Sequence, residues 1–268
     1  MEAINNIVLG LIQGLTEFLP VSSTGHLVIL HTLFGATESD LAFDAILQLA
    51  TVMAVIIYFH KDIWTMINAI LRKLSRLPVN DKEITMAYAL MIGTVPAVIL
   101  GLLLENFMET LFRSPLIVAV VLIAGSILFM YAEWQYLNKP RQEKMTLMKG
   151  LKIGLFQCLA LIPGMSRSGA SIVGGMLMGL SRAESARFSF LLAIPIIAGS
   201  GLKKLLDLIT SDAQFEWTGL LLASIIAFTS GIFAIKFMLT FVRKNTLWPF
   251  IWYRIALAIL VLFLFYFA

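Results

Sequence analysis

Cysteine is nearly absent from this 268-residue chain; Cys158 is the only one. No intrachain disulfide can form, and CxxC metal or redox motifs are excluded. Charge is also scarce. Asp, Glu, Lys and Arg make up 13% of residues, where a soluble domain carries about 25%. So few charges could not cover a water-facing surface, which excludes an ordinary soluble domain. The amino-terminal MEAINN lacks a basic stretch, so no cleaved signal peptide is expected.

Apolar residues are abundant, at 59%, and the mean hydropathy is +0.90. Lipid is therefore the expected solvent for most of the chain. The net charge of +4, with a pI near 9.2, fits cytoplasmic Lys and Arg of a membrane protein and not nucleic-acid binding. Six stretches are long and apolar enough to span a bilayer: about 43–60, 84–104, 116–134, 185–206, 217–240 and 247–267. All five tryptophans, Trp64, Trp134, Trp217, Trp248 and Trp252, fall near the ends of these spans, where an aromatic belt belongs.

Two further apolar stretches are broken by polar residues. Residues 3–19 run into Pro20-Val-Ser-Ser-Thr-Gly-His26 and then a short piece, 27–34. Residues 150–162 run into Pro163-Gly-Met-Ser-Arg-Ser-Gly169 and then another, 170–180. Each half is too short to cross a bilayer, so each pattern predicts a re-entrant helix hairpin, with a single kinked span as the alternative. The short second helices are expected to begin near Gly25 and Gly169.

Lys and Arg cluster in 61–83, in 135–152 and at Arg243 and Lys244. Glu38, Asp40 and Asp44 mark 35–44, and Glu105 and Glu109 stand against Arg113 in 105–115. Positive charge marks the cytoplasmic side. All six spans then alternate, and the hairpins enter from opposite faces. Gly10, Gln13, Ser22 and Gly25 each recur 144 positions later, as Gly154, Gln157, Ser166 and Gly169. The expectation is one all-α membrane domain, 1–268, built from an inverted repeat. Its first copy is 1–134 (hairpin about 3–34 plus three spans), and its second is 150–268 (hairpin about 150–180 plus three spans). Such repeats place a site where discontinuous helices meet near the midplane.

An ionisable residue inside the membrane is a functional candidate by default. Glu17 and His26 belong to the first hairpin and Arg167 to the second. Ser22, Ser23, Thr24, Ser166 and Ser168 add hydroxyls, and Gly25 and Gly169 permit close approach. Arg167 can clamp phosphoryl oxygens. Glu17 can hold a hard divalent cation. His26 or a hydroxyl can act as base or nucleophile. Together these groups suit a phosphate ester or anhydride. The bland alternative is an internal Glu–Arg pair, a packed His and serines that merely cap helices. His31 and His60 read as interfacial. Arg187, Lys236 and Arg254 read as snorkelling residues. Pro96 and Pro195 read as kinks.

The segments QGLTEFLPVSSTGH (13–26) and PGMSRSGASIVGGMLMG (163–179), supported by FSFLLAIP (188–195), resemble the undecaprenyl-diphosphate phosphatase family of the bacitracin-resistance type. The resemblance spans essentially the whole chain. Gln13 stands where many members carry Glu, and Ser171 where many carry Thr. The resemblance implies removal of the terminal phosphate of a C55 polyprenyl diphosphate, recycling the carrier lipid of cell-wall synthesis. It implies Mg²⁺ or Ca²⁺ at Glu17 with Gln13, and catalytic His26 with Ser23 or Ser22. Phosphate binding falls to Ser166 and Arg167, with Thr24, Gly25, Ser168 and Gly169 beside them. It also implies a bacterial plasma-membrane protein with an extracytoplasmic site. The expected partners are the lipid substrate and membrane lipids, without nucleic acid; a homodimer is compatible with the sequence. The competing readings are a lipid flippase or secondary transporter with a midplane anion site, and a non-catalytic lipid-binding protein.

Overall fold

In a computed structural model, residues 2–34, 40–104, 114–139, 144–210 and 217–266 are described. Glu38, Glu105, Glu109, Arg113 and Arg141, which entered the charge reading, lie outside them. The described residues form helices joined by short connections, with no strand among them. The helices are α1 (Glu2–Phe18), α2 (Ser23–Phe34), α3 (Asp40–Tyr58), α4 (His60–Leu74), α5 (Asp81–Leu103) and α6 (Pro115–Asn138). They continue as α7 (Leu147–Cys158), α8 (Arg167–Leu177), α9 (Arg182–Thr210), α10 (Trp217–Lys244) and α11 (Trp248–Tyr266). Five of them, α5, α6, α9, α10 and α11, are long and apolar enough to cross a membrane. A sixth crossing exists if α3 and α4, bent by 75° at Phe59, count together. The protein is an all-α polytopic membrane protein.

Helix α4 departs from the expected linker over 61–83. Ile63, Met66 and Ala69 turn inward at helical spacing, while Lys61, Arg72 and Lys73 are exposed. That one-sided pattern makes an amphipathic helix that bends away instead of a loop. Local chemistry starts other helices where the chain needs them. Asn80 accepts the Lys82 N–H at the head of α5, Ser114 caps α6 ahead of Pro115, and Thr146 caps α7.

Two close seams hold the hairpins to the bundle. A Cβ on Gly10 or Gly14 of α1 would lie 2.3 or 2.4 Å from the carbonyl oxygens of Ala223 and Ala227 on α10. A Cβ on Gly150 or Gly154 of α7 would lie 2.4 or 2.1 Å from those of Ala89 and Gly93 on α5. Each seam is thus a small residue every fourth position on both helices, which lets backbones touch where lipid gives no hydrophobic drive. Between the seams lies the main core. Phe18 packs edge-on to Phe190 at 5.3 Å, with Phe129, Ile172, Val173 and Ile251 around them.

Candidate active site

The loops Leu19–Ser22 and Ile162–Ser166 put the two hairpin tips side by side. In each, a serine sits in the left-handed region, Ser22 at φ 74° and Ser166 at φ 73°. Each serine accepts an N–H three residues on: Gly25 N to Ser22 Oγ at 3.3 Å and Gly169 N to Ser166 Oγ at 3.1 Å. Because these serines take the cap position, α2 and α8 start at Ser23 and Arg167, two residues before the expected Gly25 and Gly169. Gly164, at φ 95°, turns the second loop with its Cα against Val118, where a Cβ would meet the carbonyl oxygen at 2.6 Å.

Glu17 is the hub. Its Oε1 accepts from Arg167 Nη2 at 3.1 Å, so one tip is ion-paired to the other. Its Oε2 accepts from Gln13 Nε2 at 2.9 Å and from Ser23 Oγ at 3.0 Å. Arg167 also donates from Nη1 to the Ser189 carbonyl at 3.2 Å, while its Nε–H is buried without a partner. Ser168 Oγ donates to the Leu19 carbonyl at 3.2 Å and lies 3.1 Å from Ser166 Oγ. Ser171 Oγ and Ser189 Oγ are 2.6 Å apart beneath Arg167.

His26 is held differently. Its Nδ1 faces the Ser22 carbonyl at 2.7 Å and must donate, since a carbonyl only accepts. In the neutral ring Nε2 is then the basic nitrogen, and it accepts from Tyr253 Oη at 2.7 Å. The two rings stack at 5.5 Å. So Gln13, Glu17, Ser23 and Arg167 form one hydrogen-bonded group, and His26 forms another with Ser22 and Tyr253. Thr24 is half-buried on the first turn of α2. The glycines differ from expectation. A Cβ at Gly25 would meet only ordinary contacts, the nearest at 3.4 Å, whereas at Gly169 it would strike the Phe129 ring at 2.5 Å. The close approach at Gly169 is therefore to an aromatic side chain.

The snorkelling expectation for Arg254 is wrong. This residue is fully buried on α11. Its Nη1 donates to the carbonyls of Met165 at 3.1 Å and Pro20 at 3.5 Å. Its Nη2 donates to those of Gly164 at 3.2 Å and Leu122 at 3.3 Å. Phe129 lies under the guanidinium at 5.0 Å. A turned loop leaves carbonyls that no helix satisfies, and Arg254 collects them from both tips. Its charge in an apolar span was the available signal. Nearness to the span's end suggested an escape to water that the packing denies. Arg187 also differs, since it pairs with Asp62 and Glu184. Lys236 is exposed on α10, and His60 is exposed at the α3–α4 bend. His31 pairs with Asp44 at 2.9 Å. Ser189, Tyr253 and Arg254 are the site residues that sequence reasoning missed.

The donor set admits a hard cation. Gln13 Oε1 is buried without a hydrogen-bond partner, because the amide nitrogen faces Glu17. An orphaned amide oxygen one turn from a carboxylate fits an ion that takes few protein ligands and completes its shell with phosphate and water. Among the described residues no cluster of three or more His, Cys, Asp or Glu side chains offers a closed protein cage.

The family described as Bacitracin resistance protein BacA matches residues 6–260. A Myxococcus xanthus protein named undecaprenyl-diphosphatase is 41% identical over 265 residues, spanning 98% of this chain and 89% of its own. Proteins of the same name from Renibacterium salmoninarum and Micrococcus luteus are 40% and 41% identical over 266 and 262 residues. They span 97% and 96% of this chain and 95% of their own. With a family match over nearly its whole length and relatives at this level of identity, the chain belongs to the BacA bacitracin-resistance family.

Proposed function

We propose that this chain hydrolyses undecaprenyl diphosphate to undecaprenyl phosphate and inorganic phosphate, regenerating the lipid carrier of cell-wall synthesis and thereby supporting bacitracin resistance. The observation that carries the reading is the polar group in which Glu17 meets Arg167, Gln13 and Ser23 across the two hairpin tips while Arg167 Nε–H and Gln13 Oε1 stay unpaired, which an internal Glu–Arg pair alone does not explain. The names of the relatives point to the same reaction. They do not favour a flippase or transporter.

Arg167 binds the diphosphate. Its guanidinium already spans Glu17 and the Ser189 carbonyl, so a phosphoryl oxygen enters by competing for donors that are already oriented. The buried, unpaired Nε–H is a further donor in reserve. Ser166, Ser168 and the first N–H groups of α8 lie beside it and favour an anion. Ser23 donates to Glu17, the hydroxyl–base contact that activates a nucleophile. His26 presents its basic Nε2 for proton transfer once Tyr253 yields. Gln13 Oε1 and Glu17 would hold Mg²⁺ or Ca²⁺, which supplies charge neutralisation at the phosphoryl oxygens. Thr24 and Gly25 border the phosphate.

We also read the hairpins as re-entrant and the halves as an inverted repeat. The matching left-handed serine caps 144 residues apart support this, as do the reciprocal seams α1–α10 and α5–α7. On that topology the site faces the extracytoplasmic side of a bacterial plasma membrane. The test is phosphate release from undecaprenyl diphosphate by purified protein, with and without chelator. Arg167→Ala should lower turnover by about 10²–10³-fold or more, the usual effect of losing one stabilising donor. Near-normal turnover in that variant would overturn the assignment.

A further inference from the structure

We propose that a second anion site lies at the base of the α7–α8 hairpin and takes the phosphate headgroup of an anionic phospholipid from the cytoplasmic leaflet. A cavity of about 400 Å³ opens there. Three elements frame it: the end of α6, the start of α7 and the end of α8. Lys139, Lys149 and Lys152 line it, and no carboxylate does among the described residues. Thr146 adds a hydroxyl at the N-terminus of α7, whose first N–H groups favour an anion.

The other walls are apolar. Met148, Met176, Leu177 and Met178 line the same cavity, so it offers cations on one side and a surface for methylene groups on the other. Inorganic phosphate has no use for the second feature; a phospholipid has. The level in the bilayer agrees. Trp134, Leu137 and Leu147, next in sequence to the lining residues Gln135, Tyr136, Thr146 and Met148, are exposed at 56%, 69% and 42%. That is the mixture of ring, aliphatic and Lys expected at the headgroup boundary. Basic pockets between helices on the cytoplasmic side are where anionic headgroups bind. Arg182 does not compete, since Glu133 and the Tyr136 ring occupy it. Helix α8 runs from this base to Arg167 at its head, roughly 16 Å away by its 11 residues. A bound headgroup would brace the hairpin that carries the phosphate clamp.

The test uses the full chain in a neutral detergent, titrated with phosphatidylglycerol, with bound lipid read by native mass spectrometry. One saturable lipid per chain is expected. Each lysine near an anionic surface is worth about a fivefold factor, so K139Q/K149Q/K152Q should bind about a hundredfold more weakly. Its phosphate release in detergent should match wild type, since none of the three touches the hairpin tips. Phosphatidylcholine should not distinguish the two proteins. Equal affinity of both for phosphatidylglycerol would overturn the site. Displacement of the lipid by millimolar inorganic phosphate would overturn the headgroup assignment in favour of free phosphate. Should the triple variant fail to fold, the single variants must each lose about fivefold, and no loss in any of them also refutes the proposal.

Discussion

Arg254→Met tests whether one buried guanidinium holds both hairpin tips in register. Methionine keeps an unbranched, apolar stem of similar reach and removes only the charged fork. The loss can be worked from the contacts. Three carbonyls, of Met165, Gly164 and Leu122, accept from Arg254 within 3.3 Å, and that of Pro20 accepts at 3.5 Å. A hydrogen bond to a charged group contributes about 1.5–3 kcal/mol, so the three shorter ones total roughly 5–9 kcal/mol. Against this stands the relief of no longer desolvating a charge, several kcal/mol. The net expectation is about 3–5 kcal/mol of lost stability, since the buried carbonyls lose their donor at about 1–3 kcal/mol each. The damage should concentrate in the loops. Phosphate release should fall by at least 10²-fold, because loosened tips misplace Arg167 against Ser23 and Glu17. Thermal unfolding in detergent and phosphate release together make the assay. Gly125→Ala gives an independent route to the same state, since its Cβ would lie 2.2 Å from Arg254 Nη2. A Met variant that unfolds at the wild-type temperature and turns over normally would refute the reasoning, and Gly125→Ala must agree with it.

Other expectations follow from single contacts. Tyr253→Phe removes the donor to His26 Nε2 while keeping the stacked ring, so turnover should change by roughly tenfold or less with little change in stability, as one neutral hydrogen bond implies. Gly154→Ala forces a Cβ to 2.1 Å from the Gly93 carbonyl oxygen, and thermal unfolding should show a loss of about 1–3 kcal/mol or more. Gln13→Glu puts a second carboxylate beside Glu17; activity should need less added Mg²⁺ or Ca²⁺, and a titration after chelation would show no shift if Gln13 is remote from the ion.

Composition and periodicity alone determined that the chain lives in lipid, that it is helical, and that polar residues break two of its apolar stretches. These follow from the solvent: a bilayer demands long apolar helices and penalises every Ser, Glu and Arg it admits. Glu17, Ser22, His26, Ser166 and Arg167 stood out as candidates for that reason, as rare polar residues in apolar surroundings. The Glu17–Arg167 pair was foreseen only as part of the bland alternative, and the other pairings were not legible. That Glu17 also meets Ser23, while His26 meets Tyr253, depends on where two hairpin tips far apart in sequence come to rest. Arg254 shows the limit most clearly. Its sequence neighbourhood, WPFIWYRIAL, fits a residue reaching for the interface as well as one buried in the core. Only the packing of α11 against both tips, beside the space left by Gly125, denies it water and gives it carbonyls instead. A helix's sequence reports how much polar character it carries. Which orphaned backbone groups that character must satisfy is decided by the tertiary fold.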